Sequence, residues 1–474
     1  MSVDDLRTDF RISVLTWNVK SSQPSESLNA LFAIDDSECN VDRLPDAYAV
    51  GFQELTVNPL SLLLEEPWVV AIIEALSKWG FIKLKHIRLQ GILLVLFCKK
   101  QHLMNIRDIE TSYIRTGLGG YWGNKGAVAI RFSVYGCSVC IVNSHLAAHD
   151  NQLQQRINDY NAIIDGLEFT NSTTSRVLFH DYIIWFGDLN FRLEELSGNE
   201  IHEIILKAKS AESSKLRQSF IDELLSKDQL SIVRHEGRAF SELDESKLTF
   251  LPTYRFKAKT DEYDFKSRRP AFTDRVLYRI NGNVYDNIKL ELKQFEYLSH
   301  TQYKQSDHKP VTSSFSIKVL TSRAMAILNL ERGVQVTFHP TQNWHIGKDS
   351  VAWYKIEPQS DEVDSRVIEN LLRYISEWDW IGLFKANFSS LDDYICYTWA
   401  SRYPHESGPP TVTDSDQESS QIDGASVSRH DTRGPWFKVI FSEQVLLIQN
   451  TYRLLYIDHK GNVLGMSSPF LLSV

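Results

Sequence analysis

The sequence predicts an α/β domain over residues 1–319 and an all-β domain over residues 332–474, joined by a linker at 320–331. In the first part, apolar strand-like runs alternate with helical stretches, which is typical of α/β folds. In the second part, short strand-like runs with frequent turns favour a β-sandwich. Most strand-like runs of the first part also end in polar residues, and α/β sheets bind ligands beside their strand ends.

Composition narrows the class of protein. The 474 residues are enough for about two to four domains. A hydrophobic content of 43% and a charged content of 23% are those of a soluble globular chain. The net charge of −9 argues against general binding to nucleic acid, so an anionic ligand has to be met by a local basic patch.

The cysteines and the chain termini point to a reducing compartment. Five scattered cysteines, an odd number, predict reduced thiols. Cys137 and Cys140 form a CxxC, but residues three apart in a strand face opposite ways, which argues against a shared metal. Because no signal segment, lipidation motif or apolar run of ~20 residues is visible, we expect a cytoplasmic or peripheral membrane protein. We also expect a monomer.

Apolar runs define the elements of the first domain. Strands are predicted at 11–20, 47–54, 81–88, 91–98, 126–132, 137–145, 179–190 and 311–320. Helices are predicted at about 59–79, 152–167 and 199–227, and Pro67 is expected to end or kink the first of them.

The run WFGDLNFRL at 185–193 follows a buried strand and places Asp188 and Asn190 two residues apart, able to face one way. A carboxylate beside a carboxamide suits work on a water molecule: Asp188 can take its proton and Asn190 can hold it in line. An ordinary polar turn at the strand end is the alternative, since Gly, Asp and Asn are turn residues.

Two further stretches could bind anions. The glycine-rich run 117–126 is either a flexible connection or a loop that brings Lys125 and backbone N–H groups to a phosphate. Residues 252–279 carry eight Lys/Arg against four Asp/Glu, which makes them either a solvated face or a polyanion site. The basic residues before the strand that begins at Asp274 favour the polyanion site.

Polar residues stand at the edges of successive strand-like runs: Asn18, Glu54, His145, Asp188, Asn190, Asp274, Asp307 and His308. We expect these residues to lie together at one sheet edge. Their oxygen atoms then favour binding of Mg²⁺ over zinc, since no cysteine cluster joins them. Asp274 and His308 can form a carboxylate–imidazole pair. This combination suits the hydrolysis of a phosphate ester.

These residues lie in motifs that resemble the inositol polyphosphate 5-phosphatases, which share the DNase I-like α/β sandwich. The two signatures of that family are WFGDLNFRL at 185–193 and RPAFTDRVLYR at 269–279. Six more motifs follow the family's order: TWNVK, GFQE, GYWGNKGAV, NSHLAAH, PTYRF and SDHKPV. The chain departs from the family at Phe272, where Trp is usual, and at Thr273, where Cys is common.

The C-terminal part resembles a SKICH domain, an Ig-like sandwich linked to membrane targeting. The resemblance rests on DWIGLFK at 379–385, the stretch from Tyr394 to Trp399, and YRLLYIDHKGNVLGMSSPF near the C-terminus. Residues 402–434 are rich in Ser, Asp, Gly, Pro and Thr, so they are predicted to form a disordered insertion.

The resemblance implies a role for each site residue. Glu54 would hold Mg²⁺ with Asn18 nearby, and Asp307 would support the metal or phosphate side. Asp188 would activate water and Asn190 would orient it. His145 and His308 would contact the scissile phosphate, with Asp274 buttressing His308. Basic and aromatic residues of the motifs would bind the inositol phosphates: Lys125, Tyr254, Arg255, Lys266 and Arg268.

The implied substrates are phosphatidylinositol 4,5-bisphosphate and 3,4,5-trisphosphate at a membrane surface, of the endoplasmic reticulum or the plasma membrane. Two alternatives remain. A DNase I-like nuclease would share the acidic motifs but needs a broad basic surface to track DNA. A scaffold that binds phosphoinositides without turnover would not need Asp188 or His308, yet both are present.

Overall fold

The computed structural model describes residues 6–34, 41–56, 65–117, 122–171, 173–265, 268–282, 285, 288–328, 334–341, 344–358, 375–405, 407–409, 435–442 and 448–473. Internal contacts divide the chain into two compact units, Met1–Ala324 and Met325–Val474. Most of the predicted insertion 402–434 lies outside the described residues. So does Lys266.

The strands of the first unit are β1 Arg7–Asn18, β2 Ala47–Gln53, β3 Phe81–Leu89, β4 Ile92–Lys99, β5 Ile106–Gly117, β6 Trp122–Val134, β7 Cys137–His145, β8 Tyr182–Asp188, β9 Asp274–Ile280, β10 Leu292–Ser299 and β11 Val311–Leu320. The helices are α1 Pro67–Leu76, α2 Leu153–Gly166, α3 Gly198–Lys209, α4 Ser214–Leu225, α5 Gln229–His235 and α6 Ser322–Ile327.

The strands of the first unit form two sheets, in the orders β10-β11-β1-β2-β4-β3 and β5-β6-β7-β8-β9. One pair in each sheet is parallel, β1 with β2 and β7 with β8, and the other pairs are antiparallel. The parallel pairs place the carboxyl ends of two strands side by side in each sheet. The predicted α/β sandwich is confirmed.

The two sheets approach closely at Gly51 on β2. A Cβ atom there would lie 2.5 Å from the ring of Phe186 on β8, so a larger residue would push the sheets apart. Next to it, Asn143 donates to the carbonyl oxygen of Leu93 at 2.7 Å and accepts from Gln53 at 2.7 Å. Both side chains are fully buried, so these hydrogen bonds connect polar groups of the two sheets inside the sandwich.

Helices cover the outer faces of the two sheets. On one sheet, Trp68 and Ile72 of α1 join a buried apolar cluster with β1, β2 and β4. On the other, Tyr160 of α2 packs into a second cluster around Trp185. The prediction that Pro67 ends or kinks the helix of 59–79 was wrong in the described part: Pro67 begins α1, because the first position of a helix needs no backbone N–H. Residues 59–64 of the predicted helix lie outside the described residues.

The second unit is built from antiparallel strands: β12 Val334–Phe338, β13 Ser350–Pro358, β14 Trp380–Lys385, β15 Tyr394–Trp399, β16 Trp436–Phe441, β17 Thr451–Ile457, β18 Val463–Met466 and β19 Phe470–Leu471. They form the sheets β12-β13-β16 and β15-β14-β17-β18, with β19 paired to β17. Tyr354, Ile381 and Tyr456 belong to one buried cluster that draws on both sheets, as in the predicted β-sandwich.

Four cysteines fall within the described residues, and all four are free thiols: Cys98, Cys137, Cys140 and Cys396. Burial raises the pKa of Cys98, Cys137 and Cys140, so these thiols stay protonated. In the described part of the chain, every helix is too short or too polar to span a bilayer.

Candidate active site

Strand ends from both sheets meet at one edge of the sandwich. In the first sheet, Asn18 ends β1 beside Gln53 at the end of β2. In the second, His145 ends β7 beside Asp188 at the end of β8. The antiparallel strand β9 begins at the same edge, because Asp274 is paired with Asp188.

Gly187 shapes the turn that presents Asp188. It adopts a φ of 144°, and a Cβ atom there would lie 1.9 Å from the carbonyl oxygen of Ser144. Only glycine fits this close approach of β8 to β7. The strand therefore reaches the edge of the sheet with the Asp188 side chain directed at its neighbours.

Asp188 is surrounded by groups from two other strand ends and from the loop before β11. Its Oδ2 accepts from Asn18 Nδ2 at 2.9 Å and lies 3.3 Å from His145 Nε2 and 3.9 Å from His308 Nε2. Burial alone would raise the pKa of Asp188. The charge of His308, the hydrogen bond to His145 and the charge of Lys125 outweigh burial and lower the pKa well below its ordinary value. Asp188 is therefore an anion at neutral pH.

His308 and Asp274 form the predicted carboxylate–imidazole pair. Nδ1 of His308 lies 2.9 Å from Asp274 Oδ2, which also accepts from the hydroxyls of Thr253 and Thr273. Burial lowers the pKa of His308, but Asp274 and Asp188 outweigh it and raise the pKa to about 9. The pair thus holds an imidazolium with Nε2 directed toward Asp188.

His145 stands between a cation and two anions. Its Nε2 hydrogen-bonds with Lys125 and lies 3.8 Å from Glu54 Oε1. Burial and Lys125 lower the pKa of His145. Burial also lowers the pKa of Lys125 to about 8, although Asp188 and Glu54 oppose it. The predicted Lys125 thus lies at the site, while residues 118–121 of its loop are outside the described part.

The donor set fits a divalent cation. Ligand atoms of Glu54, His145 and Asp188 all lie within 4.8 Å of one another, and the Glu54 side chain is 45% exposed. Asn18 donates its N–H to Asp188, and its Oδ1 accepts from the backbone N–H of Lys20 at 3.1 Å, which leaves that oxygen one free lone pair. Glu54 is the carboxylate best placed to bind a metal ion from the open side.

Asp307 is paired with cations. Its Oδ2 accepts from Lys20 Nζ at 2.8 Å and lies 3.4 Å from Nε of Arg255. Sequence reasoning did not single out Lys20, although it follows the strand-end residue Asn18 by two positions and so can face the same way. The contacts place Asp307 as an anchor for two cations beside the predicted metal site.

These groups surround an open cleft of about 230 Å³. Its lining residues include four cations, three carboxylates and one imidazole: Lys20, Arg192, Arg255, Arg268, Glu54, Asp188, Asp307 and His308, with Ala148, Asn190 and Tyr254. The cations match a polyanion and the carboxylates match a metal ion. A small, highly charged ligand carrying several phosphates fits this lining.

Most predicted site residues come together here. Eight of them line the cleft: Glu54, Asp188, Asn190, Tyr254, Arg255, Arg268, Asp307 and His308. Asn18, His145 and Asp274 lie behind them and contact Asp188 or His308. The residues that sequence reasoning missed are Lys20 and Arg192, both of which stand inside motifs that it did identify.

Comparison with known proteins identifies the family. Residues 15–314 match the endonuclease/exonuclease/phosphatase family 2. The chain belongs to this family. Residues 336–472 match the SKICH domain, so the resemblance of the second unit is also confirmed.

Two curated relatives match most of this chain. The chain is 31% identical to phosphatidylinositol 4,5-bisphosphate 5-phosphatase A of Homo sapiens, with 98% of this chain and 42% of that protein covered. It is 33% identical to inositol polyphosphate 5-phosphatase K of Mus musculus, with 82% and 78% covered. The chain thus spans about two fifths of the length of the 5-phosphatase A relatives.

Solved structures support the fold. The inositol polyphosphate 5-phosphatase domain of SPsynaptojanin, in complex with inositol (1,4)-bisphosphate and a calcium ion, is 30% identical. It aligns with a TM-score of 0.57 over 69% of this chain and 90% of that one. A Cimex nitrophorin ferrous NO complex is 24% identical, with a TM-score of 0.51 over 66% and 99%. That second likeness shows the fold alone, so function has to be argued from the site.

Proposed function

We propose that this chain is a Mg²⁺-dependent phosphatase that removes the 5-phosphate of phosphatidylinositol 4,5-bisphosphate and 3,4,5-trisphosphate, and of soluble inositol polyphosphates. It would act as a monomer on lipids at a cytoplasmic membrane surface and dampen phosphoinositide signalling. The observation that carries the proposal is the cleft itself: an anionic Asp188 and an imidazolium at His308 face one space that four cations surround. The substrates named for the relatives have the phosphates that such a cleft needs.

Each group of the cleft has a task in phosphoryl transfer to water. Asp188 accepts a hydrogen bond from the attacking water and takes its proton as the new P–O bond forms. The bond from phosphorus to the 5-oxygen of inositol breaks in the same step, and the leaving oxygen takes a proton from solvent water. His308 donates from Nε2 to a phosphoryl oxygen, and Asp274 keeps the imidazole oriented. A divalent ion bound at Glu54, when present, supplies positive charge where the phosphoryl and leaving oxygens become more negative. His145 would contact the scissile phosphate as well.

Recognition of the other phosphates falls to the basic wall. Arg255 and Arg268 line the cleft with Tyr254, and Asp307 holds Arg255 in place. Arg can bind a phosphate through two parallel hydrogen bonds, whereas Lys acts as a point charge. Lys125 and Lys266 are proposed to join this wall.

Phosphate release from a panel of inositol lipids and soluble inositol phosphates tests the proposal. With Mg²⁺ present, we expect release from substrates with a 5-phosphate and none from phosphatidylinositol 3-phosphate or 4-phosphate. A supercoiled DNA plasmid belongs in the panel, because nicking in place of phosphate release would support the nuclease alternative. Binding of the lipids without turnover would support the scaffold alternative.

The basic wall predicts a difference between substrates. Arg255→Ala removes a contact to a phosphate that does not react, so KM for phosphatidylinositol 4,5-bisphosphate should rise about 10-fold or more, with kcat within about 3-fold. Phosphatidylinositol 5-phosphate lacks the neighbouring 4-phosphate and should be affected much less. Initial rates in one buffer of fixed salt measure both, because salt screens such charges.

The matched control is Arg217→Ala, which removes an exposed arginine on α4 outside the cleft. It should leave both KM values unchanged. An equal loss for both substrates in Arg255→Ala would contradict the assigned role.

The raised pKa of His308 predicts an alkaline limit to activity. The imidazolium is present below the folded pKa of about 9, so kcat should fall as the pH rises through that value. The same charge stabilises the fold below about 6.5, the unfolded pKa, and this contribution is lost as the pH passes 9. Asp274→Asn removes the carboxylate that raises the pKa, so the alkaline limb should move down by about 1 pH unit or more.

Profiles of kcat from pH 6 to 10 measure this shift. Asp222→Asn is the control, since Asp222 is an exposed acid on α4. An alkaline limb that stays in place in Asp274→Asn would show that another group sets it.

A further inference from the structure

Arg192 is a buried guanidinium in the wall of the cleft. It stands two residues after Asn190, and only 2% of its surface is exposed. Its Nη2 donates to Asn190 Oδ1 at 2.5 Å, and its Nε donates to the backbone carbonyl of Asn190 at 3.0 Å. Both contacts therefore go to a single neighbouring residue, which is itself part of the site.

The surroundings hold this guanidinium in one place. Its Cζ lies 4.7 Å from the centre of the Tyr254 ring, and that ring contacts the His308 ring in a tilted arrangement, with 4.4 Å between the ring centres. The backbone N–H of Arg192 donates at 2.9 Å to Gln229 Oε1, which also accepts from Arg156. Neighbouring residues thus hold both the backbone of Arg192 and the face of its guanidinium.

The contacts of Asn190 decide which way its carboxamide points. An arginine has only donors, so the amide atom that faces Arg192 has to be the oxygen. A backbone carbonyl only accepts, so the atom 3.1 Å from the oxygen of Leu146 has to be the nitrogen. The flipped amide would place N–H against N–H and oxygen against oxygen.

This orientation leaves an N–H of Asn190 available to the cleft. Nδ2 carries two hydrogens, and one of them is donated to Leu146. Oδ1 accepts from Arg192. Asn190, which lines the cleft, therefore offers an N–H donor to a bound ligand.

We propose that Arg192 is a positioning residue that locks the Asn190 carboxamide with its N–H toward the cleft, so that Asn190 donates a hydrogen bond to an oxygen of the reacting phosphate. This proposal rests on the proposed phosphatase function and adds a role to it. A preoriented donor stabilises the charge that the phosphoryl oxygens gain in the transition state. Asn190 thus acts on the phosphate as a donor through Nδ2.

A substitution at Asn190 distinguishes donor from acceptor. Asn190→Asp keeps both oxygen positions and can still pair with Arg192, but it has no N–H to donate. We expect kcat on a short-chain phosphatidylinositol 4,5-bisphosphate to fall about 10²-fold or more, as far as in Asn190→Ala. A near-normal kcat in Asn190→Asp would overturn the proposal, because an acceptor would then suffice.

A double-mutant cycle tests whether Arg192 acts through Asn190. Arg192→Met keeps the length of the side chain without its donors, and we expect kcat to fall about 10²-fold with KM changed less than about 3-fold. In the Asn190→Ala background, the same change should lower kcat by less than about 3-fold. Equal effects in both backgrounds would show that Arg192 acts independently of Asn190 and would overturn the proposal.

Controls separate this result from loss of the fold and from failure of the proposed function. Arg217→Met on α4 should keep normal kinetics, and the melting temperature of every variant is measured. If Arg192→Met does not fold, Arg192→Lys enters the same cycle with the same criterion, since one ammonium cannot make both contacts. Absence of phosphate release by the unaltered chain would refute the phosphatase function itself, whereas the cycle tests Arg192 only in an active enzyme.

Discussion

Asp188→Asn should lower kcat by about 10²-fold or more while the affinity for lipid survives. The change preserves the size of the side chain and its capacity to accept from Asn18, but it removes the negative charge and the basicity. Two imidazoles lie within 4 Å of this carboxylate, and the loss of charge also removes a counter-ion of the His308 imidazolium. The chemical step should suffer far more than substrate binding.

Turnover of a short-chain phosphatidylinositol 4,5-bisphosphate and sedimentation with vesicles that contain the same lipid measure the two effects separately. Asp222→Asn, on the exposed face of α4, is the matched control and should behave as the unaltered chain does. Retention of near-normal kcat in Asp188→Asn would show that another group receives the proton of the water.

Strand ends could be predicted because their sequence signal is local. β2 and β8 are buried along their whole length, so each reads as an unbroken apolar run that stops at a polar residue. Since β1 with β2 and β7 with β8 are parallel, their ends had to meet at sheet edges. The polar residues at such ends, among them Asn18, His145 and Asp188, can therefore be predicted to lie together, because ligand sites of α/β folds gather at strand ends.

Two edge strands could not be predicted in this way. β5 is an edge strand whose pairing register shifts between Arg107 and Glu110. β10 is the edge of the other sheet and shifts between Gln294 and Glu296. Such a shift inserts an extra residue and reverses the alternation of apolar and polar side chains. A half-exposed strand with an interrupted period leaves no continuous pattern to detect.

The sequence alone also could not predict which side chains of distant motifs pair with each other. Lys20 and Asp307 are 287 positions apart, and their contact depends on β1 lying beside β11. The pairing shows that Asp307 balances cations, which spacing alone could not reveal. The same limit applies to Tyr254, whose ring connects Arg192 with His308 only once the chain has folded.

The carboxylates of the cleft have two different surroundings, which predict two different effects of mutation on activity. Loss of a carboxylate that binds a metal ion should raise the metal concentration needed for activity. Loss of a carboxylate that pairs with cations should raise KM for the substrate. Glu54 is open to solvent and shares its surroundings with Asp188 and His145. Asp307 is 9% exposed at its side chain and pairs with Lys20 and Arg255. The two residues therefore form a natural comparison.

Chelation should abolish turnover, and added Mg²⁺ should restore it, because the carboxylates of Glu54 and Asp188 supply hard oxygen donors at the candidate site. Glu54→Gln keeps the shape of the side chain but removes a negative ligand, so the Mg²⁺ concentration for half-maximal activity should rise about 10-fold or more. Asp307→Asn should shift that concentration much less and should mainly raise KM for lipid. Mg²⁺ titrations of both variants at saturating substrate measure the demand for metal. Substrate titrations of both variants at saturating Mg²⁺ measure KM. Full turnover in metal-free buffer would refute the metal dependence, and an equal Mg²⁺ shift in both variants would make Asp307 a ligand as well.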